Sequence, residues 1–258
     1  MLAQAKIVGI CYKLTYGGYY KKWSWRIMEI VPGIHQVDGV NGNCFIIFRD
    51  DLTLIDTGMP KNSAKIVKYI QEILKRKPSE IKTIVLTHFH IDHVGDASDL
   101  KKLSGAKVAI HEADADYVAG RKTPPVPRSV MGMIFKVLIP LFFGSRPVDP
   151  DIKLNDGDTI AGLTSIHTPG HTPGSICLFD PASKILFAGD LLRFNGSKIE
   201  IGVSPLDTSE VQQSINKIAA IDFDIMLSGH GIPLRPDASA KVREFAKKNT
   251  RKNGFPEK

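Results

Sequence analysis

The chain has 258 residues, 43% of them hydrophobic and 24% charged, with 34 Lys and Arg against 27 Asp and Glu. That composition excludes a mostly disordered chain, a collagen-like repeat and a coiled coil, and the length suffices for one large domain with a closed core. The formal charge of +7 and a pI near 9.2 suit a nucleic-acid partner at first sight, but the basic excess lies at the two ends. Residues 1–27 hold five basic residues and no acid, residues 241–258 hold seven against two acids, and the stretch between is mildly acidic. No nucleic-acid partner is therefore expected.

Three cysteines, Cys11, Cys44 and Cys177, are scattered along the chain with no CxxC spacing, which fits a reducing interior rather than a disulfide framework. No apolar run reaches the roughly 18 residues that a spanning helix needs. Lys6 and Lys13 interrupt any apolar core that a secretory signal would require. The expected location is the cytoplasm.

Residues 1–27 read as a basic extension, and a domain is expected over 28–258. The apolar runs 44–48 and 52–55, separated by Arg49-Asp50-Asp51, predict a hairpin. Apolar spacing predicts a helix over 62–77, stopped by Pro78. A strand over 81–86 runs straight into a histidine cluster, and a short helix over 96–103 precedes a strand over 107–110. An apolar insert is expected at about 121–148. Within it, residues 129–143 read as a buried helix, with a lid over the site or a homodimer contact as alternatives. Further strands are expected at 163–167, 175–179, 185–188 and 225–227, and helices at 209–220 and 237–248. Strand runs in both halves, each accompanied by helices, predict two packed sheets covered by helices.

The chemistry concentrates in Thr87-His88-Phe89-His90-Ile91-Asp92-His93, where three imidazoles and one carboxylate occupy six positions after a strand. His88 and His90 are two apart and can point the same way from an extended strand end, while Asp92 and His93 fall on the next turn. Three later segments repeat the placement of one potential ligand at a strand end beside glycine: His171 in TPGHTPGS, Asp190 in AGD and His230 in SGHG. Glycine lets the backbone turn tightly and approach a site. The remaining histidines read differently. His35 lies in a polar stretch and is expected at the surface, His111 is expected to cap or pack locally, and His167 to make a structural hydrogen bond.

This set, with Leu54-Ile55-Asp56-Thr57-Gly58 and in this order, resembles the metallo-β-lactamase fold superfamily, in its dinuclear HxHxDH branch of lactonase and glyoxalase II-like hydrolases. The resemblance spans roughly 28–248 and implies a four-layer αββα sandwich with metals at one edge of the paired sheets. It also implies two divalent metal ions. One is held by His88, His90 and His171, the other by Asp92, His93 and His230, and Asp190 bridges them. Zinc, manganese and iron all suit such ligands, zinc foremost. Asp56 is implied to lie behind the ligands and orient one histidine.

The implied reaction is hydrolysis of a small-molecule ester, thioester or lactone by a metal-bridging hydroxide, with Asp92 relaying a proton to the leaving group. A mononuclear iron persulfide dioxygenase on the same fold is the alternative. Lactonases of this branch usually carry a tyrosine three residues after the bridging Asp. Here that position is Arg193, a candidate contact for an anionic substrate. Only about 28 residues follow His230, too few for the glutathione-binding helical domain of glyoxalase II relatives.

Overall fold

The structure is a computed structural model that describes residues 28–125 and 146–252, with side chains described to residue 250. Residues 1–27 and the helix expected over 129–143 lie outside the described residues. Among the described residues, no helix is long and apolar enough to cross a membrane.

Seven strands form the first sheet in chain order: β1 (Glu29–Val31), β2 (Ile34–Gln36), β3 (Phe45–Phe48), β4 (Leu52–Ile55), β5 (Ile81–Val85), β6 (Lys107–His111) and β7 (Ile152–Leu154). The first four pair antiparallel, including the expected β3–β4 hairpin, and β4 to β7 run parallel. The second sheet has the order β14-β11-β10-β9-β8, built from β8 (Thr159–Ile160), β9 (Leu163–His167), β10 (Ile176–Asp180), β11 (Ile185–Gly189) and β14 (Ile225–Ser228). β11 and β14 are parallel. A small hairpin, β12 (Leu192–Phe194) with β13 (Ile199–Ile201), completes the strands among the described residues.

Strand alternation decides the layering. Phe45 and Ile47 of β3 face Ile176, Leu178, Ile185 and Phe187 of the second sheet in one apolar cluster. Phe45 and Phe187 meet edge to face across the sheets, with ring centroids 5.5 Å apart. Ile46, between them in sequence, faces the other way. It packs with Leu54, Ile84 and Val108 beneath helices α1 (Ser63–Glu72), α3 (Ala97–Ser104) and α4 (Glu112–Val118). On the far side, Cys177, Leu186 and Met226 pack against α5 (Thr208–Ala219) and α6 (Ala238–Lys252). The result is helices, sheet, sheet, helices: the αββα sandwich.

Two expectations require correction. α1 ends at Glu72, five residues short of the expected end, and Lys75 reverses the chain in a left-handed conformation. Pro78 opens a 3-10 turn, Pro78–Glu80, instead of stopping the helix. Its fixed φ suits the first position of a helical turn, and Glu80 accepts from the Lys77 backbone N–H at 2.6 Å. His35 is buried in β2 rather than exposed, with Nδ1 3.2 Å from the Tyr69 hydroxyl. Sequence polarity around it concealed a strand that α1 covers.

Truncating Phe187, which seals the inter-sheet core, is expected to cost about 3–5 kcal/mol. Urea unfolding of Phe187→Ala measures this; a loss below about 1 kcal/mol would contradict the assigned layering.

Candidate metal centre

Parallel strands deliver their C-terminal ends to one edge, and the loops beyond them carry the polar residues. Asp56 follows β4, His88 to His93 follow β5 and include the short helix α2 (Ile91–Val94), His171 follows β9, Asp190 follows β11, and His230 follows β14. The two sheets thus bring residues 88 and 230 to the same place.

Asp56 sits behind this cluster, nearly fully buried, in a left-handed conformation (φ 58°) that Asp tolerates better than most residues. It accepts hydrogen bonds from the Thr87 backbone N–H and the Thr87 hydroxyl, both at 2.8 Å. His93 Nδ1 lies 2.8 Å from its second oxygen and donates to it. Having donated its proton to Asp56, the Thr87 hydroxyl accepts from His88 Nδ1 at 3.0 Å. Both histidines therefore hold a proton on Nδ1 and turn Nε2 towards the pocket.

Three nitrogens meet on one side. His90 Nδ1 is 3.1 Å from His88 Nε2 and 2.9 Å from His171 Nε2. Burial, reinforced by the neighbouring imidazoles, pushes His88 well below its ordinary pKa and His90 to about 3. Burial also lowers His171. All three shifts favour neutral rings, whose facing nitrogens crowd within hydrogen-bond distance of one another.

On the other side, His230 Nε2 lies 3.0 Å from Asp92 Oδ2 and 3.4 Å from Asp190 Oδ2. Those two carboxylates hold His230 up to about 9. Burial opposes charge on His93, yet Asp190 and Asp56 outweigh it and raise its pKa. Burial likewise works against the Asp92 carboxylate, but His230 and His93 bring it down to about 2. Asp190 lies between the groups, 3.4 Å from His93 Nε2 and 3.6 Å from His171 Nε2. Gly229 closes this side: a Cβ there would overlap the Asp190 carboxylate and the His93 ring.

The donor set fits metal ions. His88, His90 and His171 form one group that can hold a cation, Asp92, His93 and His230 another, and Asp190 joins a third with His88 and His93. Within each group the donor atoms lie within 4.8 Å of one another. His93 Nε2 and Asp190 Oδ1 are buried with no hydrogen-bond partner, a costly arrangement that a cation between them relieves. Protons held on His93 and His230 on one side, and crowded neutral ring nitrogens on the other, both suit a site for cations.

All seven residues expected as ligands come together, and Asp56 stands behind them. Arg193 does not reach into this cluster as an isolated charge. It lies on β12 and pairs with Glu200 of β13 at 3.0 and 2.8 Å. His111 caps α4, accepting from the Ala113 N–H, and stacks on His167 with ring centroids 3.9 Å apart. His167 bonds the Pro173 carbonyl at 2.8 Å. Two residues that sequence reading missed support the cluster: Asn43, bonded to Ser228 and Gly231, and Asp114, bonded to Phe89, Thr172 and Gly174. Asp114 left a signal, as an acid on the face of α4 that Ala115 and Val118 bury. Asn43 left none, because its partners lie 185 and 188 residues away.

Comparison with known proteins agrees with this geometry. Residues 37–230 match the profile of the metallo-beta-lactamase superfamily. The chain is 31% identical to the probable metallo-hydrolase YflN of Bacillus subtilis over 230 residues, covering 80% of this chain and 86% of that one. It is 32% identical over 162 residues to the acyl-coenzyme A thioesterase MBLAC2 of Bos taurus, covering 57% of this chain and 56% of the relative. Among solved structures, the metallo-beta-lactamase GOB-18 of Elizabethkingia meningoseptica superposes with a TM-score of 0.64 at 23% identity, covering 95% of this chain and 97% of that one. Fold, site geometry and sequence likeness agree: the chain belongs to the metallo-β-lactamase superfamily of metallo-hydrolases.

Proposed function

We propose that this protein is a dinuclear, zinc-dependent thioesterase acting on small acyl thioesters. The observation that carries the reading is the convergence of seven donor side chains in three overlapping groups at one sheet edge. His88, His90 and His171 would hold one ion, Asp92, His93 and His230 the second, and Asp190 would contact both. Bound divalent ions supply an acidified water and polarise the substrate carbonyl.

The chain's own residues then have distinct tasks. Neutral His88, His90 and His171 offer lone pairs without competing protons at pH 7. Asp56 locks the rings of His93 and, through Thr87, of His88. Asp92 is the more exposed carboxylate of the cluster, with its side chain 31% accessible against 8% for Asp190. It is therefore the group to accept the proton of the attacking water and return it to the leaving sulfur. Water adds to the carbonyl carbon, the C–S bond breaks, and a carboxylic acid and a thiol leave.

A thioester is favoured over a lactone for two reasons. The bovine relative is an acyl-coenzyme A thioesterase. Glu200 also pairs with both Arg193 and Lys198, so this hairpin carries one net positive charge beside the site, suited to an anionic leaving group.

A panel of acyl thioesters, lactones and phosphodiesters tests the reading on purified protein; thioesters should be cleaved fastest, and turnover of phosphodiesters alone would contradict it. Chelation is expected to abolish thioester cleavage and added zinc to restore it. The combined His88→Ala and Asp190→Ala variant should lose both bound metal and turnover, whereas turnover in that metal-free variant would sink the proposal. Asp56→Ala, which leaves the His93 ring and the Thr87 hydroxyl without their acceptor, should weaken metal affinity about 10- to 100-fold in chelator competition.

A further inference from the structure

The candidate ligands come from two separated stretches of chain: His88 to His93 from the first sheet, and His171, Asp190 and His230 from the second. Metal pockets need their ligands held to within fractions of an ångström, so something must tie the stretches together. Two side chains outside the ligand set and distinct from Asp56 do so.

Asp114, on α4, is fully buried. One of its oxygens accepts from the Phe89 N–H at 3.0 Å and from the Thr172 hydroxyl at 2.7 Å, and the other accepts from the Gly174 N–H at 2.7 Å. Phe89 lies between His88 and His90, and Thr172 follows His171. One carboxylate therefore fixes the backbone on both sides of the three-histidine pocket. A buried carboxylate is costly unless it is hydrogen-bonded, and burial pushes this one up to about 6 despite its three donors. Gly174 belongs to the same contact, since a Cβ there would overlap the Asp114 carboxylate.

Asn43 performs the equivalent task at the other pocket. Its backbone N–H donates to Gly229 O at 2.7 Å. Its side-chain Nδ2 donates to Ser228 O at 2.8 Å and Gly231 O at 3.1 Å. Gln36 donates to its Oδ1 at 2.8 Å, which fixes the amide's orientation. The carbonyls bracketing His230 on both sides are thus tied to the end of the loop before β3.

We propose that Asp114 and Asn43 are positioning residues that each serve one metal pocket: Asp114 holds the His88–His90–His171 pocket, and Asn43 holds the His230 arm of the Asp92–His93–His230 pocket. The assignment rests on the dinuclear reading above.

Zinc titration of full-length protein under chelator competition, with metal content measured after gel filtration, tests it. Wild type should bind two ions, and Asp114→Ala and Asn43→Ala one each. Adding His230→Ala to Asp114→Ala should remove the remaining ion, and adding His171→Ala should change nothing further. For Asn43→Ala the pattern should reverse. Circular dichroism of the metal-free proteins checks folding. If either alanine variant fails to fold, Asp114→Asn and Asn43→Asp replace it, with at least a tenfold loss of affinity expected at the assigned pocket only. Two ions at wild-type affinity in these variants, or loss from the opposite pocket, would overturn the assignment. A wild type that takes up a single ion would instead overturn the dinuclear reading, and the assignment with it.

Discussion

Seven imidazoles and carboxylates crowd into one pocket, where the buried His93 Nε2 and Asp190 Oδ1 find no hydrogen-bond partner. On one side, three neutral rings turn their nitrogens towards one another, 2.9 and 3.1 Å apart. On the other, Asp190 and Asp92 keep a proton on His230, and Asp190 and Asp56 keep one on His93, well beyond the usual histidine range. Both imbalances have the same remedy, which is positive charge placed between the groups. The rest of the edge is arranged around that requirement. Asp56 orients two rings from behind, Gly229 lets backbone approach Asp190, and the sheets hold their strand ends together.

Much of this was legible because the chemistry clusters locally. The HxHxDH run declares itself within six residues, and His171, Asp190 and His230 each follow an apolar run that had to be a strand. The layering was legible from strand runs in both halves, each accompanied by helices; that residues 45–47 alternate between two apolar environments emerges from the structure. Boundaries were less secure. The helical periodicity of α1 continues past Glu72 in sequence, yet the chain must turn back to lay β5 parallel to β4, and topology overrode the pattern.

What stayed hidden depends on contacts between distant segments. The polar surroundings of His35 suggested solvent, because no local feature announces that Tyr69 lies above it. Asn43 acts 185 residues away from its partner, and nothing near it in sequence hints at a role. Arg193 stands out in the sequence as a candidate contact for an anionic substrate, but its pairing with Glu200 emerges only from the hairpin. The net charge of +7 proved a poor guide to the site, whose local electrostatics are set by buried carboxylates and histidines.

The central claim is that these seven residues form a two-ion hydrolytic centre. Elemental analysis of the purified protein, paired with an oxygen-free assay of thiol release from an acyl thioester, tests it most directly. The account predicts two divalent ions per chain and undiminished hydrolysis without oxygen. A single iron per chain, with turnover that consumes oxygen and stops in its absence, would contradict it.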